Sequence, residues 1–284
     1  MMKKKYWKTL ALVLALVLIV GVFGFANSLV GNPLSKFLAE RSAESHVAVN
    51  YPGTDYYVER VGFDFKSIGY YAHIRSQSSM DTQFTLRIDM WGRVKWDTYE
   101  DVLSGSVTAR RLEQEYRELT DQVFEDPAFP YETDIAFGTL DINPREALED
   151  PNMTDIPEWS LVYQDLILDH SYDPRELGAQ AGRLVVYVYS GELTHEVAAE
   201  VLLNIRAEFD RANIPFRVID FTLHYPRTED GPWDEEYIGL ENFPCDQITE
   251  EGLVERVAQA DADLKAYRAM LDAEQEKYLA TMPK

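Results

Sequence analysis

One cysteine, Cys245, stands in 284 residues, so no disulfide can form within the chain and its core must hold by burial alone. Catalytic signatures are missing too. There is no G-x-S-x-G elbow, no S-x-x-K acylation motif, no phosphate loop and no dinucleotide fingerprint, which leaves common serine acyl transfer and nucleotide chemistry without support. Basic residues are scarce beyond the first positions. Setting aside Lys3, Lys4, Lys5 and Lys8 leaves 23 basic residues (27 less 4) against 49 acidic ones, a formal charge of −26. Those that remain stand singly or in pairs such as Arg110 and Arg111, whereas a phosphate backbone needs a basic surface; nucleic acid is not an expected partner. The acidity favours solubility, repulsion from anionic headgroups and attraction for cations or basic partners.

What is present begins with those four lysines, which precede the long apolar run at 10–30. At about 1.5 Å per helical residue the run reaches roughly 31 Å, enough to cross a bilayer once. The lysine bias places the N-terminus in the cytoplasm and the chain beyond residue 31 outside, a single-pass arrangement in the cell membrane. A cleaved signal peptide is the alternative, since Ala26-Asn27-Ser28 has the small-x-small form of a cleavage site, but the run exceeds the usual apolar region of about 7–15 residues. The absence of disulfides in an exported body fits a Gram-positive type of exterior.

The remainder reads as α+β in two domains, 32–103 and 104–284, following the anchor at 1–31. Asn32 and Pro33 cap and start a helix whose Leu34, Phe37, Leu38, Ala43 and Val47 fall at helical spacing. Four strands follow as an antiparallel meander, with Phe84, Leu86, Ile88 and Met90 on one face and Thr85, Arg87 and Asp89 on the other. A second helix runs from about 106 to 125. Strands are expected near 134–142 and 161–168. The clearest unit is strand, helix, strand: 183–189, a helix capped by Thr194, then 216–225, in a mixed or parallel sheet. A last helix from about Thr249 carries Leu253, Val257, Ala260, Leu264, Tyr267, Leu271 and Tyr278 in heptad spacing, suited to packing on the protein's own sheet or to a coiled-coil seam.

Candidate chemistry is thin. His46, His73, His170, His195 and His224 are the histidines. Thr194-His195-Glu196 opens like a zinc-protease helix, but Ala199 stands where the second ligand belongs. Cys245 with His224 is the one nucleophile and base pair on offer, weighed against a buried structural thiol. The acidic loop 229–236 is weighed as a weak cation site against a solvated turn. Tyr56, Tyr57, Tyr70 and Tyr71 fall on adjacent strands, where they serve sheet packing or, if exposed, a recognition surface. No catalytic, cofactor-binding or metal-binding residue is assigned, and no cofactor is expected.

Several segments resemble one family. Asn50-Tyr51-Pro52-Gly53-Thr54-Asp55-Tyr56, Tyr71-Ala72-His73-Ile74 and Ser79-Met80-Asp81-Thr82-Gln83-Phe84 look like the N-terminal domain of the YfjL-like proteins of Bacillota. The segments Phe129-Pro130-Tyr131-Glu132-Thr133-Asp134, Glu176-Leu177-Gly178-Ala179 and Glu250-Glu251-Gly252-Leu253 look like its C-terminal part. The resemblance implies a two-part membrane-anchored architecture and carries over no catalytic residue. The helix-plus-meander is also similar to cystatin and PepSY-type modules. The expectation is a non-enzymatic extracytoplasmic module that binds a protein, peptide or envelope ligand. The alternatives are an envelope enzyme with an unrecognised site and an assembly component using the last helix.

Overall fold

A computed structural model describes residues 31–153, 156–226 and 236–281, with 13–15, 17, 18 and 21 before them. The apolar run at 10–30 thus lies mostly outside the described residues, and the acidic loop lies there except for Glu236. The described positions of the run are helical, with Val13, Leu14, Val17 and Leu18 exposed. Among the described residues no helix is long and apolar enough to cross a membrane, so the expected transmembrane helix is not among the observed elements.

The chain divides into two compact units, Met1–Thr108 with Ile167–Asp169, and Ala109–Leu166 with His170–Lys284. The first unit opens with α1 (Pro33–Asn50). Asn32 caps it as expected: its Oδ1 accepts from the Ser35 N–H at 2.7 Å, and Pro33 fills the first helical position, where a missing N–H costs nothing. Strands β1 (Tyr57–Asp64), β2 (Gly69–Arg75), β3 (Gln83–Asp89) and β4 (Val94–Asp97) follow in spatial order, all antiparallel, as the expected meander. A short helix α2 (Tyr99–Leu103) succeeds them.

The helix face that packs is the expected one only in its second half, at Ala43 and Val47. Ser35, Ala39, Ala43 and Val47, four apart, are buried against Tyr70, Ala72, Ile74, Phe84, Leu86 and Ile88 of the sheet. Leu34, Phe37 and Leu38 point to solvent. Small side chains let the helix approach the sheet closely, and that contact outweighs the larger apolar area of the opposite stripe. A polar clamp joins distant segments of the same unit. The buried Asp81 carboxylate accepts from the Thr108 hydroxyl and the Asp169 N–H, while Asp169 accepts from the Ser79 hydroxyl and the Asp81 N–H.

The second unit takes most of α3 (Ser106–Phe124) and then β5 (Thr133–Leu140), β6 (Ile142–Asn143), α4 (Arg145–Glu149) and β7 (Leu161–Val162). After α5 (Pro174–Ala181) come β8 (Gly182–Tyr189), α6 (His195–Arg211), β9 (Val218–His224), β10 (Tyr237–Pro244) and α7 (Leu253–Thr281). The sheet order is β10-β9-β8-β5. Strands β8 and β9 are parallel and the outer pairs antiparallel, so the strand-helix-strand unit sits at the centre of a mixed sheet. Thr194 caps α6, its hydroxyl accepting from the Val197 N–H. The strand expected at 161–168 stops at Val162 and turns into a single 3-10 turn. There Gln164 accepts from the Arg145 N–H and Asp165 pairs with the Arg145 side chain, tying the segment to α4 in place of a sheet.

One face of this second sheet, with Leu184, Val186, Val188, Ile219, Phe221 and Leu223, packs against α6 (Leu202, Ile205, Phe209) and α3 (Leu112, Tyr116). Each fully buried side chain of this size contributes about 1.5–3 kcal/mol. Replacing Asn32 by Ala is expected to lower stability of the full chain by about 1 kcal/mol, read as a shifted denaturant midpoint at constant slope; an unmoved midpoint would remove the cap from the account.

Candidate binding cleft

Alternation along the second sheet sends Arg183, Val185, Tyr187 and Tyr189 of β8, with Asp220, Thr222 and His224 of β9, to the face opposite the helix-covered one. At one end of it stands an ion network. Arg183 Nε and Nη2 donate to the two oxygens of Asp141 at 3.0 Å each, and Nη1 donates to both oxygens of Asp220 at 2.9 and 2.8 Å. Arg183 and Asp141 are each only 13% exposed. Burial works against the guanidinium charge, but the two carboxylates prevail and hold its pKa above the ordinary value.

Each carboxylate takes one further donor. Trp159 Nε1–H reaches Asp141 at 3.0 Å, and the Asn242 N–H reaches Asp220 at 2.7 Å. That second bond needs the irregularity between Leu240 and Phe243 in β10, where Asn242 sits at φ 53°, a conformation that asparagine tolerates better than most residues. The Arg217 guanidinium lies 5.0 Å over the Trp159 ring and fixes the indole from behind.

Above this floor opens a cleft of about 930 Å³. Ile156, Pro157 and Trp159 line it, as do Tyr267, Arg268 and Leu271 from α7. Helix α7 has two halves. Leu253, Val257 and Leu264 are buried, whereas Tyr267 and Leu271 are exposed and border the cleft. The heptad pattern therefore serves self-packing only in its first half. Glu241 also lines the cleft, and its ion pair with Arg268 spans 3.9 Å between half-exposed groups.

The other sequence candidates lie elsewhere. Cys245 and His224 are not brought together: Cys245 N–H bonds to Arg217 O just before β9 begins, while His224 ends that strand, about 20 Å away at 3.3 Å per residue. Burial pushes the Cys245 thiol up to about 11, with Arg206 pulling less strongly the other way. His224 Nδ1 lies 3.1 Å from Tyr225 O and so carries the proton, and its buried Nε2 has no partner among the described residues. His195 meets Asp261 at 3.2 Å, and Asp261 also accepts from the edge-strand Gly239 N–H and from Lys265. Burial alone would raise the Asp261 carboxyl, yet these bonds hold it below its ordinary range. In the first unit His46 and the Tyr51 hydroxyl share Asp97, at 3.0 and 2.9 Å. His170 packs its ring on Tyr172.

The four weighed tyrosines separate. Tyr70 is buried and its hydroxyl bonds both the N–H and the C=O of Asn32. Tyr56 packs with Tyr51, Phe84 and Tyr99, and burial with the Tyr99 hydrogen bond pushes its hydroxyl up to about 12. Tyr71 covers Gly62 on the sheet's outer face, next to His73, with Trp96 paired to the neighbouring Arg87. Tyr57 is exposed at the sheet edge. Among the described residues, no group of three or more His, Cys, Asp or Glu side chains is placed to hold a metal ion.

The geometry defines a two-unit α+β chain, each unit a four-stranded sheet with helices packed on one face. The chain belongs to the YfjL-like family: the family's N-terminal domain matches residues 4–98 and its C-terminal domain residues 115–258. No curated protein and no solved structure matches it. With the thiol held near 11, alkylation of native Cys245 at neutral pH is expected to run at least about a hundredfold slower than in the unfolded chain. Equal rates in the two states would restore Cys245 as a candidate nucleophile.

Proposed function

We propose that this YfjL-like chain is a non-enzymatic binding protein, held at the cell membrane by 10–30 with both units outside, and that the cleft of the second unit takes a basic side chain of a protein or peptide partner. The observation that carries this is the pairing of apolar walls with an anionic floor. Ile156, Pro157, Trp159, Tyr267 and Leu271 are suited to an alkyl stem, and below them Asp141, Asp220 and Glu241 outnumber Arg183 and Arg268. An arginine or lysine side chain has that same division between stem and head.

The two aspartates each accept three hydrogen bonds where a carboxylate has about four acceptor sites, which leaves capacity for an incoming donor. General acid or base work draws no support here, because Arg183 occupies the space between the paired carboxylates. The first unit adds a second surface on the outer face of its meander, where half-buried Tyr71 and His73 lie with exposed Trp96. Its likeness in form to cystatin and PepSY-type modules favours binding by analogy of fold alone.

A short peptide with one central arginine, titrated calorimetrically into the full chain, is expected to bind about 5- to 30-fold more tightly than the same peptide with citrulline, the neutral isostere. Glu241→Gln, a change at an exposed residue, is expected to narrow that difference. Equal affinity for both peptides, or cleavage of either, would contradict the proposal.

A further inference from the structure

The outward stripe of α1 lies at one end of the first unit together with other exposed apolar side chains. Leu34, Phe37 and Leu38 lie on its first two turns. Phe65 and Ile68 occupy the β1–β2 turn, and Trp91 the β3–β4 turn; Leu34 is 69% exposed, Ile68 60% and Trp91 78%. Singly, exposed apolar residues of this kind need no explanation. These six share one end of the unit.

The first and third turns of an antiparallel meander fall at the same end, because successive strands reverse direction. Helix α1 begins there too. Asn32 bonds to the Tyr70 hydroxyl near the start of β2, and Gly92 of the third turn abuts Leu38 and Ser42. The chain enters at this end through Gly31, held at φ 74° with the Tyr70 hydroxyl 2.6 Å from where a Cβ would stand. Directly before Gly31 in sequence is the apolar run at 10–30.

The charges at this end also depart from the chain's overall −22. Lys36, Lys66 and Arg93 are interspersed with the apolar side chains. The neighbouring acids are engaged: Glu40 with Lys36 at 3.8 Å, Asp64 with Arg87 at 3.2 Å, and Asp89 with Lys95 at 3.1 Å. Aromatic and aliphatic groups set among cations are the composition of a surface resting in phospholipid headgroups.

We propose that this end of the first unit docks on the bilayer, with Phe65, Ile68 and Trp91 set into the headgroup region and Lys66 and Arg93 meeting lipid phosphates. The inference rests on the membrane-anchored reading above, and it places the entry point, α1 and two strand turns on one lipid-facing surface. It also departs from what net charge alone suggests, since the cations at this end offset the repulsion between the acidic body and the headgroups.

Site-directed spin labels on the full chain, reconstituted into phosphatidylcholine and phosphatidylglycerol vesicles, test this directly. In a Cys245→Ala background, single cysteines at Ile68→Cys and Trp91→Cys are compared with Gln77→Cys, in the second turn at the opposite end of the meander. Labels at 68 and 91 are expected to show an oxygen-to-nickel-chelate collision ratio at least about threefold above that at 77, as for interfacial residues. If the chain floats with the vesicles but the three labels are equally water-exposed, the docking surface is wrong and the anchor stands. If the chain does not float with the vesicles, the anchor and the docking surface fall together.

Discussion

Arg183 is largely shielded from water, and the open face of the second unit is arranged around that fact. A guanidinium so little exposed is tolerable only when its donors are met, and Asp141 and Asp220 meet them from both sides with four hydrogen bonds. The consequences propagate outward. Asp220 draws in the Asn242 amide and with it the irregular stretch of β10, and Asp141 orients Trp159 as a wall of the cleft. Three strands and the segment after β5 are thereby held in one register by charge-assisted bonds with fixed directions. The cation between the paired carboxylates is thus part of the protein itself.

The first unit obeys a different constraint, close packing of small residues. Ser35, Ala39, Ala43 and Val47 bring α1 against the sheet, and the large apolar side chains of the same helix are left on the outside. Covering Leu34, Phe37 and Leu38 would have been the cheaper use of their area, so their exposure next to Phe65, Ile68 and Trp91 is informative. The two units thus present different surfaces. One presents an apolar and basic end next to the chain's entry from the run at 10–30, and the other holds a cleft whose floor is acidic.

Much of this architecture is legible in the residues because it is local. The alternation of Phe84, Leu86 and Ile88 specifies a half-buried strand, and Asn32-Pro33 and Thr194 mark helix starts by chemistry that acts within three residues. The strand-helix-strand run at the centre of the second sheet is equally local. Helices as short as α2, α4 and α5 leave too few turns for a period to show. The first half of the packing face of α1 is hidden because hydrophobic size points to Leu34 and Phe37, while the burial there falls to Ser35 and Ala39. The cleft floor is beyond local reading: Asp141 is 42 residues from Arg183, and Asp220 another 37. The clamp between Asp81 and Asp169 spans 88 residues with no pattern to announce it.

Arg183, shared between two carboxylates, is what builds the cleft. Arg183→Met leaves Asp141 and Asp220 facing each other without their cation, and a loss of about 3–5 kcal/mol is expected by denaturant unfolding of the second unit. The triple variant Arg183→Met, Asp141→Asn, Asp220→Asn, with the stranded charges also removed, is expected to regain most of that loss. If Arg183→Met alone stays within about 0.5 kcal/mol of the parent, as an ordinary surface substitution would, the cleft does not depend on this network and the account is contradicted.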